Sequence, residues 1–141
     1  MIKLRIPLNI TVGKKRKALS MNNYERAHFH ILTKLKHQFR EFVRLSLLEQ
    51  KAKPITGRFK IHYQIFFPDK RQRDCKNYLD FIDKLLLDAL QKNRGTQADT
   101  NNKEYIQNDS WQYYIGGSWN FGGILTTGNE GYVIATIEEE E

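Results

Sequence analysis

The stretch from Ile61 to Leu90 constrains this chain more than any other. It reads IHYQIFFPDKRQRDCKNYLDFIDKLLLDAL, and its opening alternates cleanly. Phe59, Ile61, Tyr63, Ile65 and Phe67 fall on one side of an extended backbone, and Arg58, Lys60, His62, Gln64 and Phe66 on the other, the period of a half-buried strand. Pro68 has no N–H to give a ladder, so the strand ends there. A basic connection, DKRQRD, then delivers Asp74 to the point where the period becomes helical. Tyr78, Ile82, Leu85, Leu86 and Ala89 form an apolar stripe, and Asp80, Asp83, Lys84 and Asp88 are expected on the opposite side. A carboxylate among arginines at a strand-to-helix junction points towards phosphate chemistry. The polar side of the helix has two readings. It is either a solvated surface or a source of carboxylates which, with a distant partner, hold a hard divalent cation as a metal-dependent nuclease requires.

A chain of 141 residues with 40% hydrophobic content is a single domain, residues 1–141, long enough for a core without disulfide or metal staples. The formal charge of +7 is unevenly spread: every lysine and arginine lies at or before Lys103, while the chain ends in Glu138 through Glu141. Such a distribution favours a polyanionic partner. No apolar run approaches the roughly 18 residues of a membrane span, and the start, MIKLRIPLNI, lacks a secretory core. The lone Cys75 excludes an internal disulfide and a cysteine zinc site, and no histidine adjoins it to activate a nucleophile. A reduced, cytoplasmic setting is expected.

Before the organising strand, Ile2 to Thr11 alternates as a first strand, with Pro7 favouring an edge position or a bend. Lys14, Lys15, Arg16 and Lys17 read as an exposed loop. Asn22 with Glu25 three residues on forms a capping-box start for a helix to about Glu49. Tyr24, Ala27, Ile31, Leu35, Phe39 and Phe42 mark its buried stripe; Arg26, His30, His37, Arg40 and Arg44 mark a solvent-facing or DNA-facing side. His30 and His37 are two turns apart, too far to share one ion. After Leu90, QKNRGTQADTNNKEY reads as a loop. WQYYIGGSWNFGGI reads as a glycine-interrupted strand whose aromatics Trp111, Tyr113, Tyr114, Trp119 and Phe121 serve core or dimer packing before base stacking. Gly131 to Ile137 is a last strand. The expected fold is a compact α+β domain, with a mixed sheet of about four or five strands covered by two main helices.

Pro68, Asp69, Arg71, Arg73, Asp74, Asn77, Lys84, the Asp88–Ala89–Leu90 triplet and Asp109 within YIQNDSW together resemble the RusA-like Holliday junction resolvases, many of them carried by phages and prophages. The chain departs from the best-known members at Lys76, where they have aspartate, and its asparagine-to-DAL spacing is about one helical turn longer. The resemblance implies a homodimer that cleaves Holliday junctions or related branched DNA with Mg2+ or Mn2+. On that basis Asp74, Asp83 and Asp109 are the expected metal ligands, with Asp80 the alternative to Asp83, and Lys84 binds phosphate or steadies the attacking water. DNA contacts are expected from Lys14, Lys15, Arg16, Lys17, Asn23, Arg71, Arg73, Lys76 and Asn77. Two other functions stay open: a DNA-binding accessory protein without catalysis, which Lys76 in place of aspartate keeps alive, and a flap or single-strand nuclease.

Overall fold

The computed structural model describes residues 1–26, 28–93, 102–125 and 130–140, with the side chains of Glu25 and Arg26 outside that set. The strand expected from Ile2 to Thr11 is two strands, β1 (Ile2–Pro7) and β2 (Asn9–Val12). Pro7 closes β1, which among the described residues pairs on one side only, with the last strand, so the expected edge position and bend both occur. The basic run is no loop: β3 (Lys15–Ala18) pairs antiparallel with β2 around a tight turn at Gly13 and Lys14. Gly13 has φ +65, a conformation a side chain would strain. Lysine and arginine at successive positions hid this hairpin from a reading based on apolar alternation.

The single long helix is also two, α1 (Met21–Arg26) and α2 (Phe29–Glu49). Its start differs from the expected capping box. Ser20 precedes α1, and its Oγ accepts the Asn23 N–H at 3.5 Å, while the Asn22 N–H goes to Asn77 Oδ1 at 3.2 Å. On α2 the buried residues are Leu35, Phe39, Val43, Arg44 and Leu47, so the stripe rotates away from Phe42, which is 37% exposed. The expected contributions of Glu25, Arg26 and Ala27 lie outside the described residues. Lys51 takes a positive φ just past the helix, and the Lys51 and Ala52 N–H groups return to the carbonyls of Leu48 and Leu47.

The organising stretch forms β4 (Phe59–Phe67) and α3 (Cys75–Leu90) as its periodicity dictates. β5 (Tyr114–Ile124) and β6 (Tyr132–Glu139) complete a four-stranded mixed sheet in the order β1-β6-β4-β5, with β4 and β5 parallel and the other pairs antiparallel. Three residue rows cross this sheet on its helix-covered face. Ile2, Ile137 and Ile61 form one, Leu4, Ala135 and Tyr63 the next, and Ile6, Val133 and Ile65 the third, all buried. Phe39, Val43 and Leu47 of α2 and Leu79, Ile82 and Leu86 of α3 close the core over them. The fold is thus the expected α+β class, two main helices on one face of a mixed sheet. Among the described residues no helix is long and apolar enough to cross a membrane.

Arg44 overturns the expectation of a solvent-facing or DNA-facing side chain: it is 0% exposed. Its guanidinium donates to the carbonyls of Gln91 and Lys103 and lies 5.2 Å from the centre of the Tyr105 ring. Charge-assisted bonds to two carbonyls offset the desolvation of the cation. Arg44→Met should therefore lower the unfolding free energy by about 1–3 kcal/mol, because the Lys103 carbonyl loses its Arg44 donor and the Gln91 carbonyl keeps only Arg40. Phe42→Ala, at the rim, should change it by about 1 kcal/mol or less. Urea unfolding of the two variants beside the parent measures both.

Candidate active site

Alpha-helical rise decides which of the expected carboxylates can act together. Asp74 stands at the N-cap of α3, where its side chain accepts the Lys76 N–H at 3.0 Å. Asp88 stands near the other end, roughly 21 Å away along the axis at 1.5 Å per residue. Asp109 belongs with Asp88, since its negative charge is among the groups that push the Asp88 carboxyl up. Asp74 and Asp109 thus sit towards opposite ends of the helix. Among the described residues no group of three His, Cys, Asp or Glu side chains is close enough to hold one ion.

Asp83 does not project to the solvent side. It lies among Leu79, Leu86, Leu87 and Leu90 at helical spacings of three, four and seven, and those four are buried. Its Oδ1 accepts the Tyr63 hydroxyl from β4 and the Tyr114 hydroxyl, at 3.0 Å, from β5. Gly117 makes the second bond possible, because the Tyr114 hydroxyl passes 2.6 Å from where a Cβ would stand. Asp83 consequently ties α3 to two strands of the sheet.

Asp80, Lys84 and Asp88 recur at intervals of four on the outer side of α3, all exposed. Asp80 pairs with Lys76 at 2.9 Å across one turn, a surface pair of small energetic weight. Lys84 Nζ donates to the Tyr24 hydroxyl at 3.1 Å and sits 4.7 Å from its ring centre. That donor, with the charges of Lys84 and Lys36, lowers the Tyr24 phenol below its ordinary value. The Asp88 carboxyl is raised, first by desolvation and further by Asp109, against the opposing charges of Lys36, Lys84 and Arg40. Asp88, part of the motif, was not among the ligands expected from the sequence, although it stands one turn beyond Lys84.

A cleft of about 590 Å³ opens beside this pair, lined by Arg40, Asp88, Gln91, Lys92, Asn93, Glu104, Gln107 and Asn108. Its acidic and amide groups, with Asp109, are hard oxygen donors. Mg2+ is commonly held by one or two carboxylates, keeping water and substrate phosphate for its other positions. Asp88, partly desolvated and within reach of the Asp109 charge, fits that requirement.

The expected DNA contacts divide into free and engaged groups. Lys14, Lys15 and Arg71 are exposed, whereas Arg16 pairs with Glu130, and Lys17 lies deeper beside Asn23, Tyr24 and Phe81. Arg73 is held by Asp69 at 2.7 Å, a bond that lowers the Asp69 carboxyl and raises Arg73. Asn23 donates to the Ala18 carbonyl at 2.9 Å, and Asn77 accepts from Asn22, so these two fasten the hairpin and α1 to the start of α3. Cys75 is raised by burial and by Asp74, the opposite of an activated thiolate.

Burial raises both Tyr63 and Tyr114, and the Asp83 charge raises them further. Above the ordinary phenol value, near pH 10, the unfolded chain releases protons that the folded chain keeps. The stability tied to these protons is therefore full below about pH 10 and falls as pH rises beyond it. Urea midpoints measured from pH 8 upwards should drop in the parent and drop less steeply in Tyr63→Phe. At neutral pH, Asp83→Ala should cost about 2 kcal/mol by orphaning two hydroxyls, and Asp80→Ala about 0.5 kcal/mol or less. No protein-family model matches this chain, and no curated protein sequence does so significantly, leaving its own residues to carry the functional argument.

Proposed function

We propose that this protein is a divalent-metal-dependent endonuclease acting on branched DNA, with a four-way junction as its substrate. One observation carries the reading: Asp109, far from Asp88 in sequence, is near enough for its charge to help raise the Asp88 carboxyl, and Asp88 lies one turn of α3 beyond Lys84. The match of Lys84, Asp88 and Asp109 to the motif residues of the RusA-like resolvases supports the same assignment. Under this reading Asp74 serves as a helix cap and Asp83 as a structural tether, and neither is a ligand.

Asp88 and Asp109 would hold Mg2+ or Mn2+, which supplies positive charge at the scissile phosphate and makes water a competent nucleophile near neutral pH. Lys84, steadied over Tyr24, donates to a phosphate oxygen as charge builds there. Lys36 beside it and the exposed Lys14 and Lys15 neutralise flanking phosphates without reading bases. A junction with two equivalent scissile phosphates is served most simply by two copies of the chain, and the compartment is the cytoplasm. The two-carboxylate set also favours a second reading, a junction-binding protein without catalysis.

Single-turnover cleavage of a labelled junction in Mg2+, beside gel-shift titration in Ca2+, separates these readings. Asp88→Asn and Asp109→Asn should each lose cleavage by about a hundredfold or more while binding is retained, because removing a negative charge does not weaken attraction to phosphate. Asp80→Asn should cut nearly as the parent does. A parent chain that binds and never cuts sinks the nuclease reading. Affinity should fall steeply with salt, and alanine at Lys14 through Lys17 should flatten that slope.

A further inference from the structure

A second cleft, of about 480 Å³, lies at the N-terminal end of α3, away from Asp88. The corner between β1 and β2, the start of α1 and the connection from β4 to α3 wall it, with Leu8 and Pro68 among its apolar members. The connection is firmly built. Asp69 accepts the Arg71 N–H at 3.0 Å and the Arg73 guanidinium at 2.7 Å, and Arg73 also donates to the Arg71 carbonyl at 3.2 Å. On the facing wall, Asn77 Oδ1 accepts the Asn22 N–H at 3.2 Å.

These bonds leave Arg71 and Asp74 available. Both line the cleft and both are exposed, yet among the described residues no ion pair joins them, so opposite charges border one space without meeting. Asp74 uses Oδ1 on the Lys76 N–H, and a carboxylate has about four acceptor sites in all. The set does not suit phosphate. Arg73 is neutralised by Asp69, and Asp74 puts negative charge at the helix N-terminus, where an anion would otherwise sit. It suits a neutral group with acceptors along one edge and donors along another. Among the nucleobases only guanine offers a fork to each partner: O6 and N7 accept from a guanidinium, while N1–H and N2–H donate to a carboxylate. The amides of Asn9 and Gln72, also on the cleft wall, can donate or accept around it.

We infer that this cleft receives an unpaired guanine of the DNA, with Arg71 donating to O6 and N7 and Asp74 accepting from N1–H and N2–H. Unpaired is required, because a Watson–Crick pair occupies N1 and N2, and a branch point supplies such a base most cheaply. The inference rests on the nuclease reading for its substrate and adds a base preference to it. Helix α3 sets the spacing: roughly 21 Å from Asp74 to Asp88 corresponds to about six stacked nucleotides between the guanine and the cut.

Fluorescence anisotropy of the full chain without metal, on labelled oligothymidine probes of about eleven nucleotides, tests this. Four probes carry guanine, adenine, cytosine or thymine at the centre, and the guanine probe should bind about tenfold more tightly than the rest. Arg71→Lys keeps the charge and loses the fork, while Asp74→Asn keeps an N-cap and loses the carboxylate. Each variant should bring the guanine probe level with the other three. The preference of the parent should persist as salt rises, since attraction to phosphate is common to all four probes and cancels in the ratio. Four equal affinities, or no binding to any probe at low salt, overturn the proposal. So does either variant that keeps the preference, or an Arg71→Lys that weakens all four probes alike, the mark of a phosphate contact. Because the assay needs neither metal nor cutting, equal affinities leave junction cleavage standing, and a chain that never cuts leaves a guanine preference standing.

Discussion

Everything assigned to the candidate site depends on how the C-terminal end of α3 is capped. The last turn of a helix leaves carbonyls without intrahelical partners, and burying them unpaired is expensive. Here α2 supplies two guanidinium groups. Arg40 donates to the carbonyls of Asp88 and Gln91 at 2.8 and 2.7 Å, and Arg44 bridges Gln91 to Lys103. Leu90 accepts the N–H groups of Tyr105 and Ile106 at 3.0 and 3.3 Å, while the Tyr105 carbonyl accepts from Ile55. Tyr105 and Ile106 are thereby buried against the end of the helix. Asp109 follows three residues later, so this anchoring sets it towards the same end of α3 as Asp88, whose carboxyl its charge helps raise.

The second constraint lies on the other side of the same helix. A half-buried carboxylate in an apolar stripe needs donors, and Tyr63 and Tyr114 provide them from two strands. α3 is thus fixed in rotation as well as position. With Asp83 turned to the sheet, its neighbour Lys84 and then Asp88 must face α2 and the Tyr24 ring, since consecutive residues are about 100° apart. The two acidic residues on this turn and the next do different work because the helix gives them different surroundings.

Local pattern was enough to read β4, α3 and β6, because half-buried strands and amphipathic helices write their periods into contiguous residues. Pattern failed where the deciding partner was remote in sequence. Arg44 looked like a surface cation because its acceptors, the Gln91 and Lys103 carbonyls, belong to segments whose approach no periodicity announces. Asp83 looked exposed because its donors come from β4 and β5. The hairpin of β2 and β3 escaped because its cationic strand shows no apolar alternation. Of the candidate site, Lys84 and Asp109 were named from the motif, whereas the influence of Asp109 on Asp88 was not foreseen, because it depends on the cap.

β5 joins the two halves of the molecule's chemistry. Its polar side is tied to β4 through His62, its apolar side extends the core, and Tyr114 at its start reaches Asp83 across the space that Gly117 leaves open. Asp83 immediately precedes Lys84. The cationic surface remains with α2, α3 and the hairpin, apart from β5. Charge is thus segregated from β5, which carries no charged residue, while the formal +7 of the chain is borne by other elements.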